Sequence, residues 1–515
     1  MDGVAGQWVM QRGPRYFRVG GDVARLAELM DGRRDHTALA ESMGQPWSKD
    51  LVQRAVSQLD QLGLIDRGDM LAPRLASRIR LVPPLTVQLT VLRPGHAMQR
   101  LQPALALIAG RFVGLAAALV AVAGLVALAV QAADVTQVLG EPLPVRTYIA
   151  VLLGLLVGTS IHELGHAAAL IRYGGRPSRI GIMFFYLMPA FFCDVSDGWR
   201  LPRRSQRVWV ALAGPAVQTF LAGAAATITL MLAPSELKAG VLFFAIGSYI
   251  TGALNLLPFI KLDGYIALMS VVDVPYLRLR AMTDARRFLA RILFGGTYER
   301  ELTNRWTTAY GLACLSFPVY LLSTALTLWI GVLQRAGLAG LLLLGCGTLY
   351  VIYLVGRGTQ RLAHEIRTAG ANHWRVRSVT AALATGLCAL MFTPASYSVQ
   401  AAYVTRSGNT ELVLLDGADT ADLAAGQRVE LLRNGVLLHS RVGSATIAAA
   451  NGKPGTAPLS SFFPLSLASE PHLPVTSYPL ALKDRTERTT GAARVLISDV
   501  PLWEVAYRSY LKPFG

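Results

Sequence analysis

Seven apolar runs divide this 515-residue chain, at about residues 112–131, 147–172, 208–232, 239–260, 307–332, 337–356 and 379–395. Each approaches or exceeds the roughly 20 residues that a helix needs to cross a bilayer. Only 16% of the residues are charged, where a soluble protein carries about a quarter. The expected fold class is mainly α, a polytopic membrane helix bundle of about seven spans. Residues 1–100 are polar and lack an apolar h-region, so no signal peptide is expected.

The loops orient the bundle. Segment 172–207 holds Arg172, Arg176, Arg179, Arg200, Arg203, Arg204 and Arg207, and segment 261–305 holds Lys261 with seven arginines from Arg278 to Arg305. Segment 357–377 adds Arg357, Arg361, Arg367, Arg375 and Arg377, whereas the alternate loops offer only Arg146, Lys238 and Arg335. Cytoplasmic loops collect Lys and Arg, which puts the N-terminus inside and the C-terminal region outside a bacterial cytoplasmic membrane. The net charge of +17 is then the inner rim facing anionic lipid, and no nucleic acid partner is expected. Cys193, Cys314, Cys346 and Cys388 lie in or beside the spans. The outside region therefore has no disulfide framework, and no C-x-x-C metal pattern exists.

One span, "LLVGTSIHELGHAAALIRYGG" (155–175), carries ionisable groups at membrane depth, where they are costly and face an interior or a cavity. His162 and His166 stand at i and i+4, on one helical face a turn apart. Two imidazoles so placed can both reach one zinc ion at about 2.0–2.1 Å. Glu163 lies beside that point, where it can take a proton from a zinc-bound water and pass it to a leaving amine. Gly165, Ala167, Ala168 and Ala169 keep the helix slim for close packing. H-E-x-x-H on a helix is the zinc-protease pattern; the bland alternative is a polar knot between helices.

A catalytic zinc takes three protein ligands and leaves a place for water. The fourth run ends "YITGALNLLPFIKLDGYIAL". By the topology it runs in the same direction as the His-bearing span, so Asp263 reaches similar depth, 97 positions after His166 (263 minus 166). Asp263 is the expected third ligand, the alternative being a helix-terminal Asp at the headgroups.

H-E-x-x-H in one span with N-x-x-P-x-x-x-x-D-G in a later one resembles the site-2 protease family of intramembrane zinc metalloproteases. The resemblance implies that His162, His166 and Asp263 hold Zn2+ and that Glu163 activates water. The family's Gly-Pro motif is matched by Gly214 and Pro215, but Gln218 stands where Asn is common. Asn255 either hydrogen-bonds the substrate backbone or pairs with a neighbouring helix. No other cofactor is expected.

The flanks complete the expected domain plan: 1–80, a soluble module; 81–111, a linker; 112–396, the metalloprotease core; 397–515, an extracytoplasmic β-rich domain. In the module, "PRYFRVGGDVARLAELMDG", "DHTALAESMG" and "SKDLVQRAVSQLDQLGLI" give a β segment and three helices, the third opened by Ser48. This winged-helix-like outline resembles PqqD-like domains, which hold a leader peptide along a strand edge; a tethered DNA-binding domain or a cap is the alternative. The β-rich region alternates like strands, broken by Gly-Asn, Asp-Gly and Asn-Gly turns. Its position resembles the HlyD-like segment of some peptide zinc metalloproteases, which implies an exporter as partner.

"FFYLMPAFFCDVSDGWRLPRR" (184–204) is too short to span, and is expected as a re-entrant or interfacial segment beside the site. Cys193 and Asp194 either touch the metal, or Asp194 pairs with Arg200 or Arg203. His36, His96, His364, His373, His439 and His472 have no partners at ligand spacing. The chain thus looks like an intramembrane zinc endopeptidase of the daptide type, cutting the leader from a modified precursor peptide. A regulatory protease cutting a membrane-tethered transcription regulator, and a non-enzymatic exporter or immunity protein, are the alternatives.

Overall fold

The structure, a computed structural model, describes residues 2–4, 7–12, 15–62, 64–65, 79–82, 86–93, 100, 102–108, 111–185, 188–335, 337–416, 423–436, 438–484 and 488–508. An antiparallel sheet opens it: β1 (Asp2–Val4), β2 (Gln7–Arg12) and β3 (Arg15–Gly20), in that order. Then come α1 (Gly21–Leu29), α2 (His36–Met43) and α3 (Lys49–Gln61). The Asp35 side chain accepts from Ala38 N–H at 2.8 Å and Ser48 Oγ from Leu51 N–H at 3.3 Å. Those caps satisfy amides that a first helical turn leaves open. Leu26, Leu39, Met43 and Val52 form the core of this unit.

Where a linker was expected, β-branched alternation in "TVQLTVL" builds sheet instead. β4 (Ile79–Val82) and β5 (Thr86–Leu92) precede α4 (Gln102–Ile108), α5 (Arg111–Val130), α6 (Ala132–Gly140), β6 (Leu143–Pro144) and α7 (Val145–Arg172). β7 (Ile180–Phe185) and β8 (Met188–Cys193) then form a hairpin. β5 pairs with β7, so one antiparallel sheet runs β4-β5-β7-β8. The segment expected as re-entrant or interfacial opens with this hairpin, and β7 is held by a strand from before the first span.

The bundle continues with α8 (Arg204–Ile228), α9 (Glu236–Asn255), the short α10 (Asp263–Val272) and α11 (Leu277–Phe294). α12 (Trp306–Arg335), α13 (Gly337–Thr368) and α14 (His373–Met391) complete it. Among the described residues, six helices are long and apolar enough to cross a membrane: α5, α7, α8, α9, α12 and α13. α14 lies where a seventh span was expected, but Arg375 and Arg377 dilute it below the same measure. α8 is central: 44% of its apolar window is buried, against 22% or less for the other five. It packs against α5, α7, α9 and α10, a close fit allowed by Ala211, Gly214, Ala222, Gly223 and Ala226.

The last unit is all β except for its end: β9 (Pro394–Arg406), β10 (Asn409–Leu415), β11 (Arg428–Leu432), β12 (Arg441–Ile447), β13 (Lys453–Pro458), β14 (Leu465–Ser466), β15 (His472–Leu482), β16 (Thr490–Pro501) and α15 (Leu502–Ala506). The sheet order is β10-β9-β16-β11-β12-β15-β13, and β10 also pairs with β15, closing a barrel. Alternate residues fill it: Tyr403, Leu412, Leu414, Val429, Leu431, Ile447 and Val495. The barrel docks on the connection ahead of α7. β14 pairs in parallel with β6, Leu438 N–H donates to the Leu139 carbonyl at 3.1 Å, Arg488 meets Glu141 at 2.6 Å, and Tyr148 Oη donates to the Pro464 carbonyl. The Asn434-Gly435 pair, expected as a turn between strands, lies in the connection from β11 to β12 and also in this interface: Gly435 packs against Gly140, and Asn434 is buried.

Candidate metal centre

α7 carries His162 seventeen residues beyond Val145 (162 minus 145), about 26 Å along the axis at 1.5 Å per residue. His166 follows one turn later on the same face. Both are 4% exposed. Their rings meet edge to face with centroids 4.8 Å apart, and the two Nε2 atoms are 3.2 Å apart.

Asp263 arrives from α10. The chain leaves α9 at Asn255, turns through 256–262, and starts α10 at Asp263. Tyr310 Oη donates to the Pro258 carbonyl at 2.7 Å and Arg278 Nε to the Phe259 carbonyl at 2.9 Å, pinning that turn. At Gly264 a Cβ would lie 2.1 Å from the Leu256 carbonyl oxygen, so the residue after Asp263 has no room for a side chain against the end of α9. Asp263 Oδ2 is then 3.1 Å from His162 Nε2, and Oδ1 is 3.3 Å from His166 Nε2.

These spacings fit a metal. Ligands about 2.0–2.1 Å from a tetrahedral zinc stand about 3.3 Å from one another; the two Nε2 atoms are 3.2 Å apart and each lies 3.1–3.3 Å from one of the two Asp263 carboxylate oxygens. Gly214 on α8 leaves the space: a Cβ there would meet His166 Nε2 at 2.3 Å and His162 Nε2 at 2.5 Å. His166 Nδ1 donates to the Val210 carbonyl at 2.7 Å, which fixes the ring and leaves Nε2 as the donor to a metal. Among the described residues His162, His166 and Asp263 are the one such cluster. His36, His364, His373, His439 and His472 stand outside it, and His96 lies outside the described residues.

Glu163 sits beside the cluster, and its Oε2 accepts the Cys193 backbone N–H at 2.8 Å. Neither the Cys193 thiol nor Asp194 joins the ligand set. Burial, with the negative charges of Glu163 and Asp194, pushes the thiol up to about 12. Asp194 pairs with Arg179 at 3.0 Å, not with Arg200 or Arg203, because backbone bonds between 178–179 and Asp194 set the two opposite each other. Arg200 meets Asp197 instead. Burial works against the Asp194 carboxylate, but hydrogen bonds from Ser196, Ser178 and Arg179 hold its pKa below the ordinary value.

Residues 148–239 match the model of Peptidase family M50. The match covers His162, Glu163, His166 and Gly214 and ends before Asp263, whose place rests on geometry alone. It supports an intramembrane metalloprotease of the site-2 type. No curated protein and no solved structure matches the chain.

Two cavities lie along the bundle, one of them at the His162–His166–Asp263 cluster. One, about 220 Å3, opens from Glu163, His166 and Asp263 between the start of α8, α10 and the short 3-10 helix Ser196–Arg200. A larger groove, about 480 Å3, lies between α7 and α9 near the barrel, lined by Gly154, Phe244 and the Arg146–Glu236 pair, and touches none of the cluster. Gln218, one turn from Gly214, is fully buried and neither amide atom has a hydrogen-bond partner. Asn255 is half-buried at the end of α9, outside the cluster. Sequence reading missed the Val210 carbonyl and the Cys193 N–H, which are backbone groups and leave no mark in residue type.

Proposed function

We propose that this protein is a zinc endopeptidase that removes the leader from a ribosomally made, modified precursor peptide near the cytoplasmic leaflet of a bacterial membrane. The observation that carries the reading is the convergence of His162, His166 and Asp263 beside the Glu163 carboxylate inside the bundle. A zinc ion held there would supply Lewis-acid chemistry to a water and to the scissile carbonyl. Glu163 takes the proton of the attacking water and delivers it to the leaving amine. The Cys193 N–H holds Oε2 and so fixes the carboxylate beside the cluster.

The surrounding chain supports a peptide substrate. β8 ends its sheet beside α7, and a segment added along that edge would lie next to Glu163. The N-terminal sheet and its three helices supply a second set of strand edges, suited to holding a leader as PqqD-like domains do. The barrel offers a surface for an exporter on the outer side.

The test is incubation of the detergent-purified protein with its co-encoded precursor, beside Glu163→Gln, with fragments read by mass spectrometry. One new peptide end, made by the wild type and missing with the variant, is expected. No cleavage with zinc bound would point to a different substrate, such as a membrane-tethered regulator. Absence of both zinc and cleavage would overturn the enzymatic reading.

A further inference from the structure

The smaller cavity beside the metal centre has a definite shape and chemistry. Its inner wall is the Glu163 carboxylate with His166 and Asp263; beyond them Val195, Trp199, Ala211 and Ile266 line it. At about 220 Å3 it is smaller than the roughly 300–1,000 Å3 clefts that enclose whole small molecules, and has room for about one large side chain. The one cation on its wall is already committed. Arg207, 5% exposed, donates to Asp273 at 2.6 Å and to the Leu201 carbonyl at 3.0 Å, and lies 6.0 Å over the Trp199 ring. An acidic side chain entering the cavity would meet the Glu163 and Asp263 carboxylates on its wall, while an apolar one would gain burial against Val195, Trp199, Ala211 and Ile266.

Position decides which substrate residue this is. Glu163 must reach the leaving nitrogen to protonate it, and Glu163 is on the cavity wall. The side chain nearest that nitrogen belongs to the residue that follows the cut bond. Resting on the proteolytic reading, we infer that this cavity receives the side chain immediately after the scissile bond and selects large aliphatic or aromatic residues there. Ala211 and Trp199 set its size.

The experiment profiles cleavage of a tryptic peptide library from a bacterial proteome by the detergent-purified, zinc-loaded full chain, with zinc content measured for every variant. Wild type is expected to place Leu, Ile, Met or Phe after the cut at least about ten-fold above Gly, Ala or Asp, the scale that a few methylenes in an apolar pocket give. Ala211→Leu, which narrows the cavity, should move the preference to Ala, Ser and Gly. Trp199→Ala, which widens it, should admit Trp and Tyr. Cleavage by wild type with no preference after the bond, or an unshifted profile in variants that retain zinc, would overturn the inference. If Ala211→Leu fails to load zinc, the Trp199→Ala profile decides alone. No Glu163-dependent cleavage by wild type would instead bring down the proteolytic reading itself.

Discussion

The backbone N–H of Cys193, the last residue of β8, donates to Glu163 Oε2 on α7 at 2.8 Å. A main-chain group of a hairpin thus aims the one carboxylate in the centre that the metal cluster does not use. Because the donor is backbone, it survives any side-chain change at 193 except proline. Cys193→Pro should therefore turn over substrate about ten-fold more slowly than Cys193→Ser, the cost of one hydrogen bond to a charged group. Equal rates in the two variants, at equal zinc content, would show that the bond does not position Glu163.

Gly214→Ala puts a methyl group within 2.3–2.5 Å of both imidazole Nε2 atoms. Zinc affinity should fall by at least about ten-fold, comparable to the loss of an outer support of a metal site. Titration against a competing chelator measures it. Unchanged affinity would mean that α8 yields easily and that the glycine is not required for the metal.

Asp263→Asn keeps the shape but replaces a carboxylate by a neutral amide. Zinc retention through dialysis should drop by more than about a hundred-fold relative to wild type, whereas Glu163→Gln should retain the ion. Elemental analysis separates the two. Full retention by Asp263→Asn would remove Asp263 from the ligand set.

Asp194 anchors the loop after β8 through Arg179 and Ser196. Its folded pKa is held below the ordinary carboxylate value. The contribution is thus fully present above the unfolded value of about 3.9 and lost as pH falls through the depressed folded value. Hydrogen exchange over residues 190–200 should be flat from neutral pH down to about 4, once corrected for intrinsic rates, and rise below. Asp194→Asn should exchange faster at neutral pH and lose that acid step.

Much of the centre was legible because its chemistry is local. His162 and His166 share a helical face by spacing alone, and the direction of the spans brought Asp263 to the same depth. What escaped depends on contacts far apart in sequence. "FFYLMPAFFC" shows no two-residue alternation, so nothing in it announced a hairpin. β5 finds its partner only across α5 and α7, which periodicity cannot report. Gly214 and Gly264 were visible as motif letters, but their reason is distance: to two imidazoles in one case and to the Leu256 carbonyl in the other. The composition of Asn434-Gly435 announces the break between β11 and β12, whereas its docking against Gly140 is a contact that composition cannot report.

The pairing of β5 with β7 also orders events during synthesis. β5 leaves the ribosome before α5, and β7 only after α7, so the sheet must wait until two spans have been threaded between its halves. Until then Glu163 lacks its N–H donor, and Asp263 has not yet been made. The nascent chain therefore carries both histidines and Glu163 before Asp263, and the centre is complete only after α10 has been made.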